Sequence, residues 1–195
     1  MSQATQTVST PSATRNAAKA EAGTFTLDAA HSHVGFAVRH MMISNVRGEF
    51  TKLEGTVSYD PSRPEATAVS VTIDAASVST REERRDQHLK SPDFFDVAAY
   101  PNLTFVSKSA KKGPNGLELL GSLTIHGTTR DVTLAVEDIT PEHNDPYGNR
   151  RIGASARTKI RRSDFGMRWN AALEAGGVLV GDEVSIELEV ELIRQ

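Results

Sequence analysis

The fold class is indicated by Val184-Ser185-Ile186-Glu187-Leu188-Glu189-Val190-Glu191-Leu192, a stretch near the C-terminal end of the chain. Apolar and polar side chains alternate in it without a break, which is the pattern of a β-strand with one buried face and one solvent face. The same alternation occurs over Val69–Ile73 and Val132–Val136. The sequence therefore predicts a mostly β protein.

Weaker alternation marks further strands, and turn signals separate them. The additional segments are Val34–His40, Val46–Tyr59, Leu103–Lys108, Leu117–Ile125 and Arg151–Ile160. The turn signals are Asp60-Pro61, Gly113-Pro114-Asn115-Gly116, His126-Gly127 and Asp145-Pro146-Tyr147-Gly148. Connections this short favour antiparallel neighbours, so about eight antiparallel strands are predicted. Eight such strands can close into a barrel or split into a sandwich, and periodicity does not distinguish the two.

Composition narrows the function classes. A chain of 195 residues fits one domain with a sizeable core. The formal net charge is −3, and Lys and Arg are scattered among Asp and Glu, so there is no basic field for nucleic acid. The chain has no cysteine, which excludes disulfides, thiolate metal sites and a cysteine nucleophile.

The N-terminal residues 1–23 differ from the rest of the chain. They are rich in Ser, Thr and Ala and lack the apolar run that a signal peptide requires. We predict a disordered polar tail over 1–23, a barrel domain over 24–195 and a cytoplasmic location. No stretch reaches the roughly 18 to 20 apolar residues of a membrane span, so any membrane contact is expected to be transient.

One segment breaks the strand pattern. Residues 79–90, Ser79-Thr80-Arg81-Glu82-Glu83-Arg84-Arg85-Asp86-Gln87-His88-Leu89-Lys90, are rich in helix formers and place Ser or Thr three residues before a Glu, as in a capping box. A short helix is predicted there, ended by Pro92. Two adjacent aromatic residues, Phe94 and Phe95, follow in a loop and need a pocket or a lid position to occupy.

Several separated blocks carry a family resemblance. They are Asp28-Ala29-Ala30-His31-Ser32-His33-Val34-Gly35-Phe36 with Arg39-His40, Gly48-Glu49-Phe50, Arg85-Asp86-Gln87-His88-Leu89 with Ser91-Pro92-Asp93-Phe94-Phe95-Asp96, Tyr100-Pro101, Gly121-Ser122-Leu123-Thr124-Ile125-His126-Gly127-Thr128-Thr129, and Arg162-Ser163-Asp164-Phe165-Gly166. In this order they resemble the YceI-like family of lipocalin-fold polyisoprenoid-binding proteins, over about residues 24–193.

The resemblance implies a fold and a function. The fold is an eight-stranded antiparallel lipocalin-like barrel with a short inserted helix and an apolar interior, and the resemblance favours this barrel over the sandwich. The implied function is the binding, storage or transport of a long-chain isoprenoid lipid, of the polyprenyl or isoprenoid-quinone type. No enzymatic activity and no cofactor are implied. Many family members are periplasmic, whereas this chain begins with a polar tail.

Composition is compatible with an interior cavity. Aromatic residues make up only 6% of the chain, and Gly35, Gly48, Gly55, Gly121 and Gly153 fall inside predicted strands. Sparse bulky filling leaves space for an elongated ligand. The alternative is that these glycines relieve the curvature of a barrel.

The predicted ligand contacts are residues of the barrel wall, of the segment that caps the barrel and of its polar end. They are Phe36, Val38, Arg39, His40, Arg85, Asp86, His88, Phe94 and Phe95. Five of them, Arg39, His40, Arg85, Asp86 and His88, are expected to gather at one end and meet a polar head group, because Arg offers fixed donors for a diphosphate or a quinone carbonyl. The alternative is that these residues pair the helix to the barrel. Met41 and Met42 are interpreted as a yielding apolar rim.

Other functions stay open beside lipid binding. His31 and His33 have a spacing that could chelate a metal, but no third ligand is evident, so no metal site is predicted. A hydrolase or isomerase could use these histidines with Asp86 or His88, but the sequence supplies no nucleophile motif. A stress-response or interaction module with an empty barrel is the remaining alternative. A lipid is the expected partner, and a homodimer stays open.

Overall fold

The computed structural model describes residues 21–173 and 176–195. The predicted tail falls largely outside this range, so its disorder stays a prediction. The first strand begins at Gly23.

Twelve strand segments and one α-helix make up the described chain. The strands are β1 (Gly23–Leu27), β2 (His33–His40), β3 (Ser44–Phe50), β4 (Leu53–Tyr59), β5 (Ala68–Asp74), β6 (Val78–Ser79), β7 (Asn102–Lys112), β8 (Gly116–Ile125), β9 (Thr128–Glu137), β10 (His143–Asn144), β11 (Arg150–Arg161) and β12 (Val180–Arg194), and the helix is α1 (Glu83–Lys90). Short 3-10 helices cover Pro64–Ala66, Ala75–Ser77 and Arg162–Phe165.

Eight of these strands close into a barrel. The hydrogen-bonded order is β11-β9-β8-β7-β5-β4-β1-β12, and pairing of β12 with β11 completes the ring. All pairings are antiparallel. The predicted eight-stranded lipocalin-like barrel is therefore confirmed, and the sandwich alternative is wrong.

The long strand β12 is the spine of the barrel. On one side it pairs with β11 along Glu183–Ile193, and on the other side with β1 near its end and with β2 near its start. Residues alternate in direction along a strand. Accordingly the apolar residues of the stretch 184–192 face the interior cavity, while the intervening glutamates point outward.

Two strand predictions need correction. The predicted continuous strand Val46–Tyr59 is two strands, β3 and β4, because the backbone N–H groups of Thr51 and Lys52 hydrogen-bond to Ser77 and leave the ladder. Strand β1 was not predicted at all. It has only two strongly apolar positions, Phe25 and Leu27, directly after the polar tail, so its alternation does not stand out.

The predicted helix begins later than expected. Residues 78 and 79 form β6 against β3, and Arg81 has a positive φ of 63° that breaks the chain direction. The N-cap is Glu82, whose carboxylate accepts from Arg84 N at 3.1 Å and Arg85 N at 2.7 Å. The expected Ser/Thr capping box is therefore wrong. The helix ends at Lys90, before Pro92, as predicted.

Candidate functional site

A cavity of about 890 Å³ occupies the interior of the barrel. Side chains from the inward faces of the strands line it, and most of them are apolar. They include Leu27, Val34, Phe36, Val38, Val57, Val69, Val71, Ile73, Leu103, Phe105, Leu119, Leu134, Ile152, Ala154, Ala156, Ile186, Leu188 and Val190. The interior is thus shaped for an apolar ligand and is not filled by side chains.

Phe36 and Val38, two predicted wall residues, lie on this lining. The Phe36 ring packs 5.8 Å from the Phe50 ring, and Phe50 packs edge-to-face on Phe95 at 5.6 Å. Phe94 and Phe95 also line the cavity, and Phe94 is only 7% exposed. The loop after α1 therefore covers the barrel interior, which satisfies the expectation that both aromatic side chains need a pocket.

Two of the strand glycines make room for aromatic rings. A Cβ at Gly48 would lie 2.3 Å from Phe36 Cζ, and one at Gly121 would lie 2.3 Å from Phe105 Cζ. Both phenylalanines line the cavity. These glycines therefore allow each ring to lie across the neighbouring strand. This role differs from both explanations considered for the glycines in the sequence, which were space for a ligand and relief of barrel curvature.

Arginine and histidine side chains meet at one end of the cavity, which we call the mouth and define by His40, Arg84, Arg85, His88 and Arg162. All five line the cavity. His40 pairs with Val180 of β12 on one side and with Ser44 of β3 on the other. Arg162 donates a hydrogen bond to the carbonyl of the same Val180. The predicted polar end therefore exists, but with a partly different membership.

Arg39 is not part of the mouth. It is exposed on the outer face of β2, where its Nη1 lies 3.5 Å from Asn45 Oδ1. Successive residues of a strand point to opposite faces, so Arg39 and His40 cannot both face the interior. Arg39 lies at the same end of β2 as His40 but points away from the cavity, so the prediction that both residues line the mouth is wrong.

Arg85 and Asp86 are held by one residue, Thr80, which is only 7% exposed. Asp86 Oδ1 accepts hydrogen bonds from the Thr80 backbone N–H and hydroxyl. Arg85 Nε donates to Thr80 Oγ1 at 2.7 Å, and its Nη2 donates to Thr80 O at 3.0 Å. Asp86 does not line the cavity. These contacts tie α1 to the preceding strand, which is the structural alternative weighed for this pair.

His88 is similarly engaged. Its Nε2 lies 2.8 Å from Asp93 Oδ2, and its ring packs edge-to-face against Phe94 at 5.1 Å and Trp169 at 4.6 Å. Trp169 in turn lines the cavity. This aromatic group joins α1, its following loop and the loop that follows the 3-10 helix Arg162–Phe165. The position of Trp169 had been left undecided by the sequence.

Arg162 was missed as a site residue. It is 6% exposed, and Nε donates to Gly181 O at 2.9 Å while Nη1 donates to Met167 O at 2.7 Å and Trp169 O at 2.9 Å. Burial lowers the pKa of this guanidinium, and the carboxylate of Asp182 opposes that shift. None of the described residues, Asp182 included, forms an ion pair with Arg162. A buried cation whose partners are carbonyl groups thus borders an apolar cavity.

Arg84 differs from Arg85 and Arg162, the other two arginines of the mouth, in its hydrogen bonding. It is exposed, and its guanidinium has no hydrogen-bond acceptor among residues 21–173 and 176–195. The neighbouring carboxylate of Glu82 already accepts from the helix N–H groups. Arg85 was predicted instead, because it begins the block Arg85-Asp86-Gln87-His88-Leu89 that carries the family resemblance, and Arg84 lies just before that block.

The histidines considered for metal binding lie apart from the mouth. His31 Nδ1 lies 2.9 Å from Asp28 Oδ2, and His33 Nδ1 lies 3.1 Å from Glu49 Oε2. Within the described part of the chain, no three His, Asp or Glu side chains are arranged to hold a metal ion.

The end of the barrel opposite the mouth carries a closed ion-pair network around Arg151. Its Nη1 lies 2.6 Å from both Asp28 Oδ2 and Glu191 Oε1, and its Nε lies 2.7 Å from Asp145 Oδ2. Hydrogen bonds from Arg151 and then His31 lower the pKa of Asp28 to about 2. The same end is filled inside by Phe25, which is 1% exposed and lies two residues before the cavity-lining Leu27.

The closed antiparallel barrel with an apolar interior places the protein in the lipocalin-like class. More narrowly, the chain belongs to the YceI-like family, since the YceI-like domain matches residues 25–192.

Protein YceI of Escherichia coli O17:K52:H18 is 36% identical over 165 residues, covering 85% of this chain and 83% of that protein. Burkholderia cenocepacia BcnA has a TM-score of 0.74 at 26% identity and covers 85% of this chain and 98% of its own. A polyisoprenoid binding domain from Saccharophagus degradans shares the fold, with a TM-score of 0.62 at 16% identity over 88% of this chain and 98% of its own.

Helices that could cross a membrane are absent from the described residues, since none is both long and apolar enough.

Proposed function

We propose that this protein binds a long-chain isoprenoid lipid, of the polyprenyl or isoprenoid-quinone type, inside its barrel and serves as a carrier or reservoir without catalysing a reaction. The observation that carries the proposal is the apolar cavity of about 890 Å³. This volume lies in the upper part of the range of roughly 300–1,000 Å³ that small-molecule pockets occupy. The family and the polyisoprenoid binding domain that shares its fold support this ligand class.

The energetics suit a carrier. Burying hydrocarbon stabilises by about 0.8 kcal/mol per methylene, but most of that gain is equally available inside a bilayer. The quantity that matters is the difference between bilayer and barrel, which can be near zero. A ligand held mainly by apolar contacts can therefore be both loaded and released.

A polar head group would meet the mouth. Arg84 lacks an acceptor within the described chain, and His40 lines the same end of the cavity. Arg85 is hydrogen-bonded to Thr80 and His88 to Asp93, so both residues support the mouth. Arg84 replaces them as the residue expected to contact the head group. A guanidinium is a suitable donor for a diphosphate or a quinone carbonyl.

Catalysis has little support from the geometry. A hydrolase would need a nucleophile hydrogen-bonded to its base. In the described residues no hydroxyl side chain bonds to a histidine ring, and the His–Asp pairs His31–Asp28 and His88–Asp93 fasten loops.

The test uses Trp169, the one tryptophan of the chain, which lines the cavity. Titration with an isoprenoid quinone should change its fluorescence to saturation at one ligand per chain. Ala156→Phe places a ring inside the cavity and should abolish the response. Ala135→Phe is the matched control, because Ala135 lies between the inward-facing Leu134 and Val136 and is outside the lining. Equal responses from both variants, or none from the parent protein, would mean that the cavity does not hold the lipid.

A further inference from the structure

Four apolar side chains are exposed together beside the mouth, and we call them the apolar tip. They are Met41, Met42, Ile43 and Val178, with exposed fractions of 41%, 59%, 76% and 40%. The first three form the turn between β2 and β3, and the fourth precedes β12. Clustered exposed apolar side chains are uncommon on a monomer and mark contact sites.

The two segments of the tip are adjacent and border the cavity. Met41 N donates to Leu179 O at 2.8 Å, and a Cβ at Gly177 would lie 3.8 Å from Met42 Cγ. Leu179 and His40, which flank the tip in sequence, both line the cavity. Anything that covers the tip therefore covers the mouth as well.

The residues of the apolar tip are not those that stabilise this type of turn. Ile43 N donates to His40 O at 3.0 Å, and Met41 and Met42 have φ of 50° and 61°, a type I′ arrangement. Asn-Gly suits such a turn, because left-handed backbone is strained in residues with longer side chains. Two consecutive methionines thus make the hairpin less stable than it could be.

Exposed arginines lie on the segments that adjoin the tip and the mouth. Arg39 precedes the tip on the outer face of β2, Arg84 lines the cavity, and Arg168 precedes Trp169. None of the three forms an ion pair within the described part of the chain. The carboxylates on this side include Glu82, which lines the cavity and accepts hydrogen bonds from the first turn of α1, the exposed Glu83, and Asp182, which accepts hydrogen bonds from Ser163. Apolar side chains with unpaired guanidinium groups beside them are complementary to an anionic lipid surface.

We propose that the apolar tip inserts into the interface of an anionic bilayer and holds the mouth against the membrane. The purpose of this contact, loading and release of a lipid, rests on the function proposed above. The contact itself rests only on the exposed side chains and their charges.

Flotation with phosphatidylcholine vesicles, with and without phosphatidylglycerol, tests the proposal. The parent protein should float with the anionic vesicles. The double variant Met41→Asn, Met42→Gly should lose roughly tenfold or more of the apparent affinity, because two apolar side chains no longer insert. Its melting temperature should stay equal or rise, since it supplies the residues that the turn prefers. Loss of membrane binding is thereby separated from misfolding.

Two further variants complete the test. Arg39→Gln with Arg168→Gln should weaken binding to anionic vesicles by roughly tenfold or more and leave weak binding to neutral vesicles unchanged. Tyr147→Asn is the control, because Tyr147 is 90% exposed in the turn before β11, at the opposite end of the barrel. It should float like the parent.

The outcomes separate the two proposals. Absence of parent flotation, or equal loss in Tyr147→Asn, overturns the membrane contact whatever the cavity binds. Flotation that depends on the tip supports it even if the Trp169 titration shows no lipid, in which case only the proposed function fails.

Discussion

The arginines at the two ends of the barrel differ in their partners. At the far end Arg151 bonds three carboxylates, and Arg150 and Arg194 both pair with Glu142. At the mouth Arg84 is exposed with no carboxylate partner in the described chain, and Arg162 bonds only carbonyl groups. Paired charges hold strands in place, whereas unpaired charges remain available for a ligand. We therefore expect substitutions at the far end to change stability and substitutions at the mouth to change ligand binding.

The largest effect is expected in the wall that joins the two ends. Phe36→Asp puts an unpaired carboxylate into the apolar cavity and should cost at least about 3 kcal/mol of unfolding free energy, or prevent folding. Arg47→Asp is the control, since Arg47 is exposed on the neighbouring strand, and its effect should be small. Chemical denaturation measures both. Similar mild effects would show that the inward face is misassigned.

The far end is tested next by Arg151→Ala. Removal of this side chain leaves Asp28, Asp145 and Glu191 without their shared cation, so the melting temperature should fall by several degrees. Arg157→Ala breaks a single exposed pair with Glu137 and should change it little. A fall no larger than in Arg157→Ala would remove the stabilising role from the network.

The same network predicts a pH dependence. The pKa of Asp28 is about 2 in the folded protein, against an ordinary value of 3.8, because Arg151 and His31 donate hydrogen bonds to its carboxylate. A lowered pKa stabilises the fold above the ordinary value, and this contribution is lost as pH falls from about 4 to about 2. Asp28→Asn should flatten the pH dependence of the melting temperature in that window. An unchanged slope would contradict the assignment.

The smallest effect on stability is expected at the mouth. Arg84→Gln should leave the melting temperature unchanged and weaken binding of a diphosphate-headed or quinone-headed isoprenoid by about tenfold, the worth of one charged hydrogen bond. Binding of the bare hydrocarbon should not change, and Arg47→Gln should bind both ligands like the parent. If headed and bare ligands lose affinity equally, Arg84 has no role in head-group contact.

The sequence was sufficient for the barrel and insufficient for the mouth. Alternation along β12 predicted the inward face, because strand geometry maps sequence parity onto direction. The same rule, applied to Arg39 and His40, already excludes that both face inward. Contacts such as Arg85 with Thr80, or Arg162 with the carbonyls of Met167 and Trp169, join residues that are close in sequence, but they depend on the backbone path of irregular segments, so no alternation pattern could reveal them. The block around Arg162 was visible only as a resemblance.

Extraction of the purified protein with organic solvent, followed by mass spectrometry, shows whether the barrel interior holds a lipid. We expect an isoprenoid lipid in the extract, near one molecule per chain for the parent protein and for Ala135→Phe, and little for Ala156→Phe. An extract without lipid, or the same amount of lipid from the cavity-filled variant, would contradict the claim that the barrel interior holds the ligand.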